Sequence, residues 1–109
     1  MYIIMLGAPG SGKGTIGNEI CKKYNLVHLA TGDIFRDEMK RQTELGKKAE
    51  EYMSQGKLVP DEITIAMVEG KLDEMDNVLL DGFPRTIPQA EALDKYLAEK
   101  SKKITAVIN

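Results

Sequence analysis

A glycine-rich segment near the amino terminus constrains the fold of this chain more than any other feature. It reads GAPGSGK from Gly7 to Lys13 and matches the first part of the pattern G-x-x-x-x-G-K-[ST]. Glycines let successive backbone N–H groups curl around an anion, and the lysine adds a full positive charge. An apolar run, YIIML, precedes the segment and a helical pattern follows it. The sequence therefore predicts a buried strand, a loop that binds the phosphates of a nucleoside triphosphate, and a helix.

The position after Lys13 departs from this pattern. Gly14 stands where the pattern has serine or threonine, and the hydroxyl comes one residue later, at Thr15. Whether that hydroxyl coordinates a metal ion directly is therefore open. The alternative for the whole segment is a flexible glycine-rich turn that carries a surface lysine. The phosphate-binding interpretation requires the glycine spacing, the lysine, the strand and the helix to coincide, and here they do.

Strand and helix patterns alternate along the rest of the chain. Short apolar runs predict strands at 2–6, 27–30, 77–81 and 104–108. Helical patterns begin at or near Lys13, Thr31, Thr43, Asp61 and Pro88. Side-chain oxygens of Thr31, Asp33 and Asp61 are expected to cap the helices that begin there. Such alternation is typical of a parallel sheet with right-handed crossovers.

The stretch between the second and third predicted strands is unusually long. It contains several helical patterns, whereas a single crossover needs only one. The extra helices are expected to form an insertion that leans over the ends of the strands. Ligands bind at those ends in open α/β sheets.

The composition argues against several classes of function. The 109 residues carry 15 Lys and Arg against 17 Asp and Glu, and no block of basic residues stands alone, so no affinity for nucleic acid is expected. No window approaches the roughly 18 apolar residues that span a membrane, and the apolar amino terminus is interpreted as a strand rather than a signal peptide. The single cysteine, Cys21, excludes an intrachain disulfide and fits a reducing compartment. We therefore expect a cytoplasmic protein.

Four motifs of the sequence resemble those of adenylate kinases. They are GAPGSGKGT at 7–15, LATGDIFR at 29–36, GKLVPDE at 56–62 and LLDGFPRTIPQA at 79–90, in the family's order and at near-family spacing. The resemblance covers the whole chain. It implies an α/β, P-loop NTPase-type fold of three layers, with a parallel sheet, four strands of which are present, and a helical insertion that binds the nucleoside monophosphate. Residues 1–109 would form a single kinase core domain, with 31–60 as the AMP-binding insertion.

The resemblance also implies an activity, which is transfer of the γ-phosphoryl group of ATP to AMP with Mg²⁺. The ATP phosphates would be held by Gly10, Ser11, Gly12, Lys13, Gly14 and Thr15. The AMP site would be formed by Thr31, Gly32, Arg36, Lys57, Leu58, Val59, Gly82, Phe83, Pro84, Arg85 and Gln89. Related UMP/CMP kinases usually differ at the positions of Thr31 and Gln89, so AMP is the expected acceptor.

This chemistry needs positive charge more than it needs a general base. A phosphate acceptor with a second pKa of about 6 is already an anion near neutral pH, and two phosphate groups must be brought together against their repulsion. Lys13, Arg36 and Arg85 are the catalytic cations expected to offset that repulsion. His28 and Cys21 are therefore expected to be structural.

Carboxylate and amide side chains complete the expected site. Asp81 closes the third predicted strand and, as in the family, is expected to reach the metal through a bound water. Asp33 has two interpretations, a helix-start residue that bonds backbone N–H groups or a residue that supports the metal indirectly. Gln89 is expected to read adenine, because a side-chain amide can both donate to and accept from a base edge. Residues 57–59 are expected to contribute backbone groups, and Phe83 to support the turn by packing.

The family continues beyond the point where this sequence ends, with a lid domain, a fifth strand and a C-terminal helix. We therefore expect weak catalysis by this chain alone, and an exposed apolar edge at Ile104–Ile108 through which copies can associate. Three functions are open at this point. The chain is an adenylate kinase enzyme, a nucleotide-binding module without useful turnover, or a half-protein that needs a complementary chain for catalysis.

Overall fold

The structure, a computed structural model, describes residues 1–6 and 14–108 in full and the backbone of Lys13. Strands and helices alternate as predicted: β1 (Tyr2–Met5), α1 (Lys13–Tyr24), β2 (Val27–Ala30), α2 (Thr31–Lys40), α3 (Glu44–Met53), α4 (Asp61–Leu72), β3 (Val78–Asp81), α5 (Ile87–Glu99) and β4 (Ile104–Ile108). None of the helices in this part of the chain has both the length and the apolar character that crossing a membrane requires.

The strands form one parallel sheet of four strands in the order β2-β3-β1-β4. Met5 pairs with Asp81, and Asp81 pairs with Ala30, so the carboxyl ends of β1, β2 and β3 lie along one edge. This is the edge at which open parallel sheets bind ligands. The outer strand β4 exposes Val107, which is 53% accessible. The predicted α/β class with a parallel sheet is confirmed.

Helices cover both faces of the sheet and produce three layers. On one face Ile4 and Leu80 pack with residues of α4 and α5, and on the other Ile3 and Leu79 pack against α1. The helix α1 lies close to the sheet at Gly17, where a Cβ atom would lie 3.3 Å from Leu79 Cδ2. Because both of their faces are covered, β1 and β3 need the continuous apolar sequences that predicted them.

The capping residues predicted for two helices, α2 and α4, are wrong. The helix α2 follows β2 without a loop, so the residue before it is Ala30, which has no side-chain acceptor, and Thr31 is already helical. Asp33 lies further into the first turn. Likewise Pro60 precedes α4 and Asp61 is its first residue. The oxygens of Thr31 and Asp61 are therefore available for contacts outside their own helices.

The insertion is held together by close packing and an ion pair. Thr43 Oγ1 accepts the backbone N–H of Gly46 at 3.0 Å and begins α3. Gly46 lets α3 approach α2, because a Cβ atom there would lie only 2.3 Å from the carbonyl oxygen of Glu38. Lys71 of α4 donates to Asp37 of α2 at 2.6 Å, and this hydrogen bond lowers the pKa of the Asp37 carboxyl. These contacts fix α2 and α3 against α4.

Candidate nucleotide-binding site

An open cavity of about 430 Å³ lies beside the carboxyl edge of the sheet. Its walls come from the start of α2, the segment between α3 and α4, the start of α4, the turn after β3 and the start of α5. The predicted AMP-site residues that line it are Thr31, Lys57, Leu58, Val59, Gly82, Arg85 and Gln89. Residues from separate motifs of the sequence are therefore brought together around one space.

The other residues of the predicted AMP site do not line this cavity. Phe83 is buried in the hydrophobic core and precedes a cis peptide bond to Pro84, an environment consistent with the packing role expected of it. Arg36 is exposed and forms an ion pair with Asp33, and its guanidinium lies against Gly32. Neither interpretation of Asp33 predicted this pairing.

The hydroxyl of Thr31 has an unusual environment. Among the described residues, Thr31 Oγ1 is buried and has no hydrogen-bond partner. Buried polar groups in folded proteins nearly always have a partner, and leaving one unpaired costs about 1–3 kcal/mol. Because Thr31 lines the cavity, its hydroxyl is positioned to bond a polar group of a ligand there.

Gln89 is held at the cavity wall by both ends of its side-chain amide. The side chain is buried, with only 7% of the residue accessible. Its Oε1 accepts the backbone N–H of Arg85 at 2.8 Å, and its Nε2 donates to Asp61 Oδ1 at 2.9 Å. Thr86 Oγ1 accepts the backbone N–H of Gln89 at 3.2 Å and donates to Asp61 Oδ2 at 3.0 Å. Sequence reasoning singled out Gln89 but missed its partner Asp61, which was interpreted only as a cap.

The turn after β3 depends on Gly82. Its φ of +83° lies in the left-handed region that favours glycine. A Cβ atom there would lie 3.0 Å from Arg85 Nη2, so the absence of a side chain lets the guanidinium lie across the turn. Arg85 is exposed at the wall of the cavity, where it is accessible to an anionic group.

Asp81 ends β3 at the carboxyl edge and contacts His28. Because an ionised carboxylate only accepts, His28 Nε2–H donates to Asp81 Oδ2, at 3.0 Å. His28 lies on the neighbouring strand, two residues before Ala30, which pairs with Asp81. The contact depends on the pairing of β2 with β3, which no local signal in the sequence indicates. Among the described residues, no group of three or more His, Cys, Asp or Glu side chains could hold a metal ion.

The glycine-rich loop lies partly outside the described residues. Residues 10–12 and the side chain of Lys13, predicted to hold ATP phosphates, belong to the part that is not described. The flanking strand and helix are confirmed, since β1 ends at Met5 and α1 begins at Lys13. Gly14 and Thr15 are exposed in the first turn of α1, where backbone N–H groups have no partner within a helix.

The fold and these flanking elements define the class of protein. A strand and a helix that flank a glycine-rich sequence in a parallel sheet, with a helical insertion after the second strand, are typical of a P-loop NTPase-type fold. A family model described as adenylate kinase matches residues 5–109. The chain belongs to the adenylate kinase family, as its motifs predicted.

Curated relatives support the same assignment along the whole chain. Over 112 aligned positions that cover 100% of this chain, it is 58% identical to the adenylate kinase of Lachnoclostridium phytofermentans and 55% identical to that of Caldicellulosiruptor bescii. It is 53% identical to the adenylate kinase of Staphylococcus aureus strain Mu50. Each alignment covers 52% of the relative, so the chain spans about half the length of these proteins.

Proposed function

We propose that this chain forms the AMP site and the phosphate-binding loop of an adenylate kinase, which converts ATP and AMP to two ADP. The observation that carries the proposal is the cavity. Residues assigned to AMP from separate motifs line it together, and two of them, Thr31 and Gln89, present buried polar groups with unused hydrogen-bonding capacity. The proposal includes residues 31–60 as the insertion that closes one side of the site.

In the proposed AMP site the base lies between apolar and polar groups. Leu58 is 93% exposed at the rim and Val59 is half-buried. Both would contribute backbone groups around the base, and their side chains would add apolar surface beside it. Gln89 would bond the base edge, and Thr31 Oγ1 would gain the partner that it lacks. Gly32, Phe83 and Pro84 would act by shaping the backbone around the ligand.

The proposed catalytic cations are Lys13, Arg36 and Arg85. Arg36 would leave Asp33 to bind phosphate. Breaking this ion pair costs little free energy, because both side chains are largely exposed and exposed ion pairs contribute about 0–1 kcal/mol to stability. Arg85 is held across Gly82 at the cavity wall, and a guanidinium can bind phosphate in a bidentate manner.

Asp81 would hold Mg²⁺ through a bound water. Its carboxylate has the ligand chemistry that Mg²⁺ prefers, and Mg²⁺ in proteins usually keeps several of its waters. Bound with ATP, the ion supplies positive charge to the phosphate oxygens. The hydrogen bond from His28 holds Asp81 Oδ2 at the carboxyl edge of the sheet, where the proposed metal would be bound.

Replacement of Gln89 by alanine is expected to relax the preference for AMP over other nucleoside monophosphates. The side-chain amide supplies the proposed donor and acceptor for adenine, and one such bidentate contact discriminates between bases by about 1–3 kcal/mol. Calorimetric titration with AMP, CMP and UMP measures the preference. Gln55→Ala, an exposed glutamine outside the cavity lining, is the control. An unchanged preference in Gln89→Ala would mean that the base contact has been misassigned.

Measuring ADP formation distinguishes an active enzyme from the two alternatives, a nucleotide-binding module and a half-protein that needs a complementary chain. ATP, AMP and Mg²⁺ are supplied to the 109-residue chain alone and to the chain mixed with the remaining half of a relative. We expect weak turnover by the chain alone. ADP formation only in the mixture would indicate a half-protein that needs a complementary chain, and AMP binding without turnover in either sample would indicate a binding module. Self-association through β4 and a cytoplasmic location stay predictions.

A further inference from the structure

Asp61 links the start of α4 to the start of α5 at the wall of the cavity. It is the first residue of α4, and its two carboxylate oxygens contact the amino-terminal part of α5, at Thr86 (3.0 Å) and Gln89 (2.9 Å). It also lines the cavity together with both of these residues. A carboxylate is favourable at a helix amino terminus because of the partial positive charge there. Asp61 therefore has a stable place from which it can orient the Gln89 side chain.

The contacts of Gln89 allow only one orientation of its amide. The Asp61 carboxylate can only accept, so it requires the NH₂ group, and the backbone N–H of Arg85 can only donate, so it requires the oxygen. Rotation of the amide by 180° would place oxygen against carboxylate and NH₂ against N–H. Both hydrogen bonds would be lost and both new contacts would be repulsive.

The oriented amide still has capacity for a ligand. An NH₂ group has two hydrogens and a carbonyl oxygen has two lone pairs, and the protein contacts described above use one of each. The remaining donor and acceptor match an adenine edge, which presents the 6-amino group beside N7 or N1 as acceptor. A purine with oxygen at position 6 places an acceptor where adenine has its donor, on either edge.

We infer that Asp61 is a specificity-determining positioning residue. By fixing the direction of the Gln89 amide, it makes the cavity favour 6-amino over 6-oxo purine monophosphates. The inference rests on the proposed function, because it requires that the monophosphate binds in this cavity with its base at Gln89. It adds a residue that acts through Gln89 and need not touch the ligand.

The test is calorimetric titration of the full chain with AMP and with inosine monophosphate, which carries oxygen at position 6. The ratio of the two affinities is compared in the unsubstituted chain, Asp61→Ala and Asp61→Asn. We expect the preference for AMP to fall by about tenfold in Asp61→Ala, the effect of one hydrogen bond to a charged group. The asparagine side chain in Asp61→Asn can present either oxygen or NH₂ to Gln89, so this variant is also expected to weaken the preference. Asparagine has nearly the same shape as aspartate, which guards against an unfolded variant.

Glu62→Gln provides a matched control. Glu62 is the next carboxylate in the first turn of α4, but it lines a different groove, between α3 and α4. Its substitution removes the same charge from the same helix terminus without changing a contact of Gln89. The ratio of affinities is expected to stay unchanged in Glu62→Gln. A general electrostatic effect on the phosphate would change the two affinities alike, in this variant and in the Asp61 variants, and would leave the ratio unchanged.

A second measurement needs no ligand. In ¹⁵N-resolved NMR spectra, the two Nε2 protons of Gln89 are expected to differ strongly in chemical shift in the unsubstituted chain and to approach exposed-glutamine values in Asp61→Ala. If the folded unsubstituted chain binds AMP and both Asp61 variants keep its preference, the inference is overturned and the proposed function stands. If the folded unsubstituted chain binds neither monophosphate, the proposed function fails and the inference fails with it.

Discussion

Substitution of Gly46 by alanine is expected to destabilise the protein by about 1–3 kcal/mol, the usual cost of overpacking. A Cβ atom at this position would lie 2.3 Å from the carbonyl oxygen and 2.5 Å from the carbonyl carbon of Glu38. Both atoms belong to the backbone of α2, so no side-chain rotation can relieve the clash. The helix α3 must move away from α2, and the buried contacts between the two helices are weakened.

Gly70→Ala is the matched control, and its effect should have the opposite sign. Gly70 lies inside α4, and a Cβ atom there would meet nothing within 4 Å. Alanine is favoured over glycine in a helix interior by about 1 kcal/mol, so this variant should be more stable than the unsubstituted chain. Urea unfolding monitored by circular dichroism measures both free energies. Equal effects of the two substitutions would contradict the packing described for Gly46.

Lys13→Ala is expected to weaken ATP binding by about 100-fold or more, which is the scale for removing one partner of a close charge pair. Lys13 follows the glycines of the loop and is the first residue of α1, so it belongs to the proposed phosphate site through both sequence and position. Lys22→Ala, in the last turn of the same helix, removes the same charge far from the loop. Calorimetric titration with ATP and Mg²⁺ compares them. Unchanged ATP affinity in Lys13→Ala would refute the assignment of the loop.

Much of the fold was predictable because its signals are local. Each strand is a short apolar run, and those of β1 and β3 are continuous because both of their faces are buried. Helix α5 is marked by Pro88 near its start, and its apolar spacing places Leu93 and Leu97 in the core. Local rules failed at α2 and α4, because a pattern of candidate caps does not specify which residue is the last one before the helix.

The contacts that sequence reasoning missed join residues far apart in the chain. Glycine is required at position 46 because α2 and α3 approach each other closely there. The residues next to Gly46 in the sequence do not indicate this requirement. The hydrogen bonds between Asp61 and Gln89 and between His28 and Asp81 depend on how α4 meets α5 and on the register of two strands. Such partners follow from the tertiary arrangement alone.

In the candidate site, too, the residues were predicted from the sequence but their contacts were not. Motif resemblance selected Thr31 and Gln89, and the fold places both at one cavity. It also selected Arg36, whose side chain pairs with Asp33 instead. The motifs predict site residues from the sequence alone, whereas the pairing of Arg36 with Asp33, three residues earlier in the same helix, is a feature of the structure.

The central claim, that the cavity is an AMP site, is tested most directly by titrating the ¹⁵N-labelled chain with AMP and following the amide resonances. We expect saturable binding of one AMP per chain, with the largest shifts at residues 31, 57–59, 82, 85, 86 and 89, which line the cavity. Absence of saturable binding by a folded sample, or shifts centred on the groove between α3 and α4, would contradict it.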